Sequence, residues 1–144
     1  MDEKAIIGQL LLSAFLGGAI GFVREKDKKA AGLRTHMLVC VGSTLFMLIS
    51  IFLSTSFTNT DVSRIASQVI TATGFIGAGA IIHAEGAIKG LTTATSVWIC
   101  AAIGLAVGCG FYLGAAVVTL ITLIVIEVVR KLEIAVFYDN KTEN

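Results

Sequence analysis

The 144-residue sequence contains no proline, few charges and only two histidines, and what it lacks already excludes several classes of protein. Charged residues make up 15% of the chain, against about 25% in an average soluble domain. Carboxylates are missing from long stretches: none occurs between His36 and Thr60, between Ile65 and Ala84, or between Gly90 and Ile126. A path for hydrated magnesium needs carboxylate or carbonyl oxygens, so a carboxylate-lined conduit is not written here, although backbone carbonyls freed at residues 74–79 could still line one. The three cysteines, Cys40, Cys100 and Cys109, lie in or beside apolar runs with no CxxC or Cys/His spacing. They read as small buried hydrophobes, not as a metal site or a disulfide framework. With His36 and His83 alone, no Ser–His set for nucleophilic catalysis is assembled, and both histidines read as anchors at helix ends. Net charge is +1, which implies no nucleic-acid partner. No cofactor is called for.

Apolar residues, in contrast, make up 56% of the chain. They fall into continuous runs, not the alternating pattern of strands, and a membrane-spanning helix needs about 20 such residues. The runs predict an all-α membrane protein, a single domain over 1–144, with five transmembrane helices near 5–23, 35–54, 65–82, 91–107 and 111–129. A cleaved signal peptide fits the first run poorly, because its positive charge follows the apolar stretch. With five spans the termini lie on opposite sides. One side then carries Arg24, Lys26, Lys28, Lys29, Arg34, Lys89, Arg130, Lys131 and Lys141; the other has only Lys4 and Arg64. The positive-inside bias places the N-terminus outside and the C-terminus in the cytoplasm.

In lipid, helices associate through close backbone contact, which needs small residues. Gly17 and Gly21, Gly74 with Ala78, Gly77, Gly79, and Gly104 and Gly108 are the expected packing positions, with Gly110 and Gly114 opening the fifth helix. A Gly77→Leu change is expected to separate helices. The third run also carries Arg64, Gln68, Thr71 and Thr73. A polar stripe in lipid should turn inward, either as a crevice or as interhelical hydrogen bonds. Asp61 stands three residues before Arg64 and reads as a helix cap or as its ion-pair partner.

GFIGAG at 74–79 looks like a nucleotide-binding loop, but no strand precedes it and it lies inside an apolar run. The informative pattern is convergence on the basic face. The second and fourth helices begin there, pointing free N–H groups and positive dipole ends that way. Arg24, Arg34 and Lys89 lie beside Thr35, His36, Thr92 and Thr93, and the threonines are able to cap those helices. Such a setting suits an anion or partner site. Glu25 and Glu85 neutralising these bases in a structural ion-pair network is the competing reading. If the face works, Arg34→Ala weakens function more than Lys28→Ala.

Three segments, GFVREKDKKAAGLRTHMLVCVGS, SRIASQVITATGFIGAGAII and KGLTTATSVWICAAIGLAVGCG, cover most of residues 21–110. In this order, their AGLRTH, GFIGAG and GLTTA blocks resemble the MgtC/SapB (YhiD-like) family of bacterial inner-membrane proteins. Ala72 stands where the family commonly has glycine, Thr73 where it has an aliphatic residue, and Thr92 where members vary between Thr and Asn. Longer members add a soluble C-terminal domain, which this chain ends without. The resemblance implies a multi-pass, non-enzymatic protein of the bacterial plasma membrane, linked to low-magnesium growth, survival inside host cells, phosphate uptake and restraint of the F-type ATP synthase.

Two functions follow. One is an accessory protein that binds another membrane protein, possessing as working residues Arg24, Glu25, Arg34, Asp61, Arg64, Gln68, Lys89, Thr92 and Thr93, with a homodimer or larger homo-oligomer possible. The other is an oligomeric transporter or channel for magnesium or another small ion. A membrane hydrolase lacks its catalytic set.

Overall fold

The computed structural model describes residues 2–57, 60–84 and 87–132. Glu85 and Lys141 lie outside these residues, as do the side chain of His83 and the roles read for them. Five α-helices account for nearly all of the described chain: α1 (Glu3–Lys26), α2 (Leu33–Ser56), α3 (Ser63–Gly79), α4 (Leu91–Gly108) and α5 (Tyr112–Ile124). A π-helical turn, Val125–Val129, continues α5. The apolar runs become helices because a helix satisfies its own backbone polar groups, which lipid cannot do.

Among the described residues, four helices are long and apolar enough to cross a bilayer: Glu3–Lys26, Leu33–Ser56, Leu91–Gly108 and the continuous Tyr112–Leu132. The third is shorter than its apolar run suggested. It has 17 residues and stops at Gly79, short of residue 82. At 1.5 Å per residue it reaches about 25 Å, less than the hydrocarbon core of about 30 Å. Beyond it lies a small antiparallel hairpin, β1 (Ile82–Ala84) and β2 (Ala87–Lys89), where the sequence suggested only a charged turn. Gly90 links hairpin to α4 at φ 94°, a left-handed conformation that disfavours any side chain.

Contacts fix the directions of the helices. Gly17 meets His36 and Cys40, while Gly21 meets Leu33, so α1 and α2 run antiparallel. His36 meets Ser96, Thr44 meets Gly104 and Met47 meets Gly108, so α2 and α4 run parallel. The C-terminal ends of α1 and α5 meet through Asp27 and Arg130. One end of the bundle therefore gathers the end of α1, the starts of α2 and α4, the hairpin and the end of α5.

The interior is built for close approach, with small side chains in place of bulky ones. A Cβ at Gly17 would stand 2.7 Å from His36 O, at Gly21 2.7 Å from Leu33 Cα, at Gly104 2.8 Å from Ser43 Cβ, and at Gly108 2.6 Å from Met47 Cβ. Gly77 is less tight, at 3.3 Å from Ala94 O. Gly74 and Gly79 differ: among the described residues nothing lies within 4 Å of either Cβ position, so the helix packing expected there is not made by them. They sit on the outward side of α3, away from its buried face of Val69, Thr73 and Gly77. At Gly114 the space is filled by the Phe111 ring of its own helix start.

Several buried or half-buried side chains donate to backbone carbonyls. Thr44 Oγ1 reaches Cys40 O at 3.0 Å and Gly104 O at 2.8 Å, tying α2 to α4. Thr73 and Thr119 donate to carbonyls four residues back. Gln9 Nε2 donates to Val107 O at 2.9 Å and to Gly108 O at 3.3 Å, covering carbonyls freed at the end of α4. Large apolar side chains point outward instead, with Phe15 72% and Phe75 83% exposed. That inversion of the soluble pattern is the arrangement a lipid solvent calls for.

Candidate functional site

At the basic end, Ser13, Leu16, Gly17, Ile20, Gly21 and Arg24 form one buried stripe of α1. The spacing follows the helical period, so the face that packs on α2 also carries the arginine inside. Arg24 is only 3% exposed. Its Nη2 donates to Thr93 Oγ1 on α4, while its Nε has no hydrogen-bond partner among the described residues.

Thr93 connects this arginine to a second buried group. Ser96 Oγ lies 2.8 Å from Thr93 O and 3.0 Å from His36 Nε2. His36 Nδ1 stands 2.7 Å from Gly32 O. A carbonyl only accepts, so Nδ1 carries the proton and donates to it. His36 is fully buried, not the interfacial anchor its helix-end position suggested, because it lies on the α2 face that meets α4.

Glu25 has a different task from the one expected. Its Oε2 accepts the N–H of Leu33 at 2.9 Å, so this carboxylate serves the N-terminus of α2, and among the described residues it pairs with no base. The threonines do not cap: the N-cap residues of α2 and α4 are Gly32 and Gly90, which have no side chain to offer, and Thr35, Thr92 and Thr93 lie inside the helices. Ala94 N is the first amide of α4 to reach back, to Gly90 O at 2.9 Å. The amides of Leu91, Thr92 and Thr93 precede it in the turn that has no intrahelical acceptor.

A cavity of about 460 Å³ opens over this helix start. Arg24, Lys29 and Arg130 bring three cations to its wall, Gly90, Thr92 and Thr93 bring the beginning of α4, and Val125, Ile126 and Val129 bring the π turn. Arg130 Nη1 lies 2.6 Å from Asp27 Oδ2 in an ion pair, and Glu127 holds Lys131 at 2.9 Å. Lys28, at φ 53°, reverses the chain after α1 and leaves Lys29 beside the cavity.

Of the expected residues, Arg24, Thr92 and Thr93 come together here. Glu25, Arg34 and Thr35 line a neighbouring hollow of about 360 Å³ with Lys28 and Lys29. Lys89 is exposed and lines neither. Asp61, Arg64 and Gln68 belong to the opposite end, at the start of α3, and all three are exposed. Asp61 Oδ1 accepts from Ser63 N and Ser63 Oγ, each at 2.8 Å, which is capping. These bonds hold its carboxyl below the usual carboxylate range. The polar stripe of α3, expected to turn inward, faces out: Arg64, Gln68 and Thr71 all lie away from the bundle. Lys29, Asp27 and Arg130 were missed as site residues. Only the meeting of the α1 and α5 ends, a tertiary fact, puts them in one place.

Comparison with known proteins gives the setting. The sequence profile of the MgtC family matches residues 10–135. The chain is 45% identical over 137 residues to YhiD of Escherichia coli strain K12, a protein named as a candidate magnesium transporter; the match covers 92% of this chain and 63% of YhiD. It is 40% identical over 123 residues to protein MgtC of Brucella abortus strain 2308, covering 85% of this chain and 50% of that protein. It is 34% identical over 143 residues to protein SrpB of Synechococcus elongatus, covering 92% of this chain and 79% of SrpB. The chain thus spans between half and two thirds of the length of YhiD and of the Brucella protein. No solved structure matches. With a profile match over residues 10–135 and a relative 34% identical of which the match covers 79%, the chain belongs to the MgtC family.

Proposed function

We propose that this protein is an accessory component of magnesium homeostasis that acts by binding another membrane protein through α3, with its basic end in the cytoplasm. The observation that carries this reading is the outward face of α3. Gln68, Thr71, Gly74 and Ala78 are exposed there, and nothing approaches the Cβ position of Gly74. A polar, small-residue face is costly against lipid and suits close contact with another helix. The cytoplasmic placement rests on the basic residues at the other end of the bundle. Magnesium enters through the MgtC family and the name of YhiD.

That name also supports a second reading, transport of magnesium. Flux in proteoliposomes separates the two. The purified protein is expected to move no more Mg²⁺ than protein-free vesicles. In cells lacking their own copy, Gln68→Leu is expected to reduce growth at low magnesium without lowering the amount of protein. Reproducible flux that falls in Arg64→Ala or Gln68→Ala would replace the accessory reading with transport.

A further inference from the structure

We infer that the cavity between the end of α1, the start of α4 and the end of α5 binds a phosphate group, and that the headgroup of an anionic phospholipid is the source the geometry favours. The inference stands for an accessory protein and a transporter alike.

Three independent features meet in the cavity. The first is Arg24, almost wholly buried, with one nitrogen spent on a neutral hydroxyl and Nε left without a partner among the described residues. A buried cation needs a counter-charge, and a guanidinium with an open N–H is suited to an oxyanion. The second is the uncapped start of α4, an 18-residue helix whose first amides bear partial positive charge. The third is charge balance. Arg24, Lys29 and Arg130 line the wall and, among the described residues, no carboxylate does. Asp27 and Glu127 lie beside it, and both engage Arg130, Asp27 at 2.6 Å and Glu127 at 3.8 Å. Arg24 and Lys29 are left with no ion pair among the described residues. Donors arriving from a guanidinium, an ammonium and a helix start suit a tetrahedral anion better than a planar carboxylate.

The shape favours a lipid over free phosphate. The cavity, at about 460 Å³, is far larger than one phosphate needs, and Ile88, Leu91 and the π turn make part of its wall apolar. It shares Thr92, Val125 and Ile126 with an apolar groove of about 280 Å³ that runs between α4 and α5 past Trp98 and Ile121. A headgroup seated on Arg24 and Lys29 would let an acyl chain lie in that groove. The π turn lies at the junction of cavity and groove; such turns inside α-helices are frequent at functional sites.

The test uses the full chain purified in a zwitterionic detergent, with thermal unfolding followed as phosphatidylglycerol, phosphatidylcholine or inorganic phosphate is added. Phosphatidylglycerol is expected to raise the melting temperature and phosphatidylcholine to leave it unchanged. Lys29→Gln, which disturbs no hydrogen bond described here, should weaken the phosphatidylglycerol response about tenfold, the loss of one charge-assisted contact. Arg24→Gln should weaken it further. If Arg24→Gln fails to fold, Lys29→Gln alone decides. Lys4→Gln, at the far end of the bundle, should respond like the parent. A response to inorganic phosphate alone, lost in Lys29→Gln, would uphold the phosphate site and overturn the lipid assignment. Equal responses to the two lipids, or equal losses in Lys4→Gln and Lys29→Gln, would overturn the site.

Discussion

Gly104 and Gly74 are indistinguishable as letters in an apolar run, yet they face opposite surroundings. A Cβ at Gly104 runs into the carbonyl of Cys40 and the Cβ of Ser43, neither of which can rotate aside; at Gly74 it meets nothing within 4 Å. Gly104→Ala should therefore destabilise the bundle by about 1–3 kcal/mol, the usual cost of overpacking. Gly74→Ala should be neutral, or stabilising by up to about 1 kcal/mol through helix propensity. Thermal unfolding in micelles compares them, and equal effects would remove the distinction between α3 and its neighbours. Four-residue spacing revealed that glycines were packing somewhere. Which partner each met depended on the rotation of every helix, and that is set by tertiary contact. Asp61 allows a pH test of a similarly local kind. Its carboxyl titrates below the ordinary value of 3.8 because Ser63 donates to the charged form. The support it gives α3 is present above that value and is lost as pH falls through the lower folded one. Protection factors of the amides in the first turn of α3 should fall as pH drops through that range, and Asp61→Ala should show low protection at neutral pH as well.

The helices were legible from the runs to within a few residues, since a continuous apolar stretch in a proline-free chain has one way to satisfy its backbone in lipid. The hairpin at Ile82–Lys89 was not legible, because two three-residue strands of mixed character carry no period long enough to separate strand from turn. Nor was the task of Glu25. In the sequence it stands among bases and looks like their counter-ion; in the fold the chain reverses after Asp27, and Glu25 Oε2 reaches the amide of Leu33. The start of α2 should depend on that reach. Glu25→Ala should cost about 1 kcal/mol, as the loss of a side-chain cap does. Glu25→Gln, which keeps an oxygen acceptor, should recover part of it. Thermal melts of the three proteins check this, and a Glu25→Ala protein as stable as the parent would make the contact incidental. Surface Gly32 fits the same picture, since a Cβ there would run into the Glu25 carboxylate.

At the scale of the whole molecule, the alternation of helix directions places Lys28 and Lys89 at one end and Arg64 at the other, whichever way the bundle sits in a bilayer. That α3 has 17 residues does not alter this, because α2 ends and α4 starts at opposite ends of the bundle, and α3 must join them. The distribution of basic residues then argues for one orientation: among the described residues, eight fall at the end of Lys28 and two at that of Arg64. Single cysteines test both statements at once. Cys40 and Cys100 are buried, and Cys109 is exposed, so a Cys109→Ser background leaves no accessible thiol among the native cysteines. In that background, Arg64→Cys should react with a membrane-impermeant maleimide added to intact cells. Lys28→Cys and Lys89→Cys should react only after the membrane is opened. Labelling of Arg64→Cys and Lys89→Cys from one side, with Lys28→Cys on the other, would mean that α3 does not cross, and the cavity built from the ends of α1 and α4 would not form in the membrane. Labelling of Lys28→Cys and Lys89→Cys in intact cells, with Arg64→Cys protected, would keep the bundle and invert it. The cavity would then face the outer leaflet, and a lipid headgroup seated in it would have to come from that leaflet.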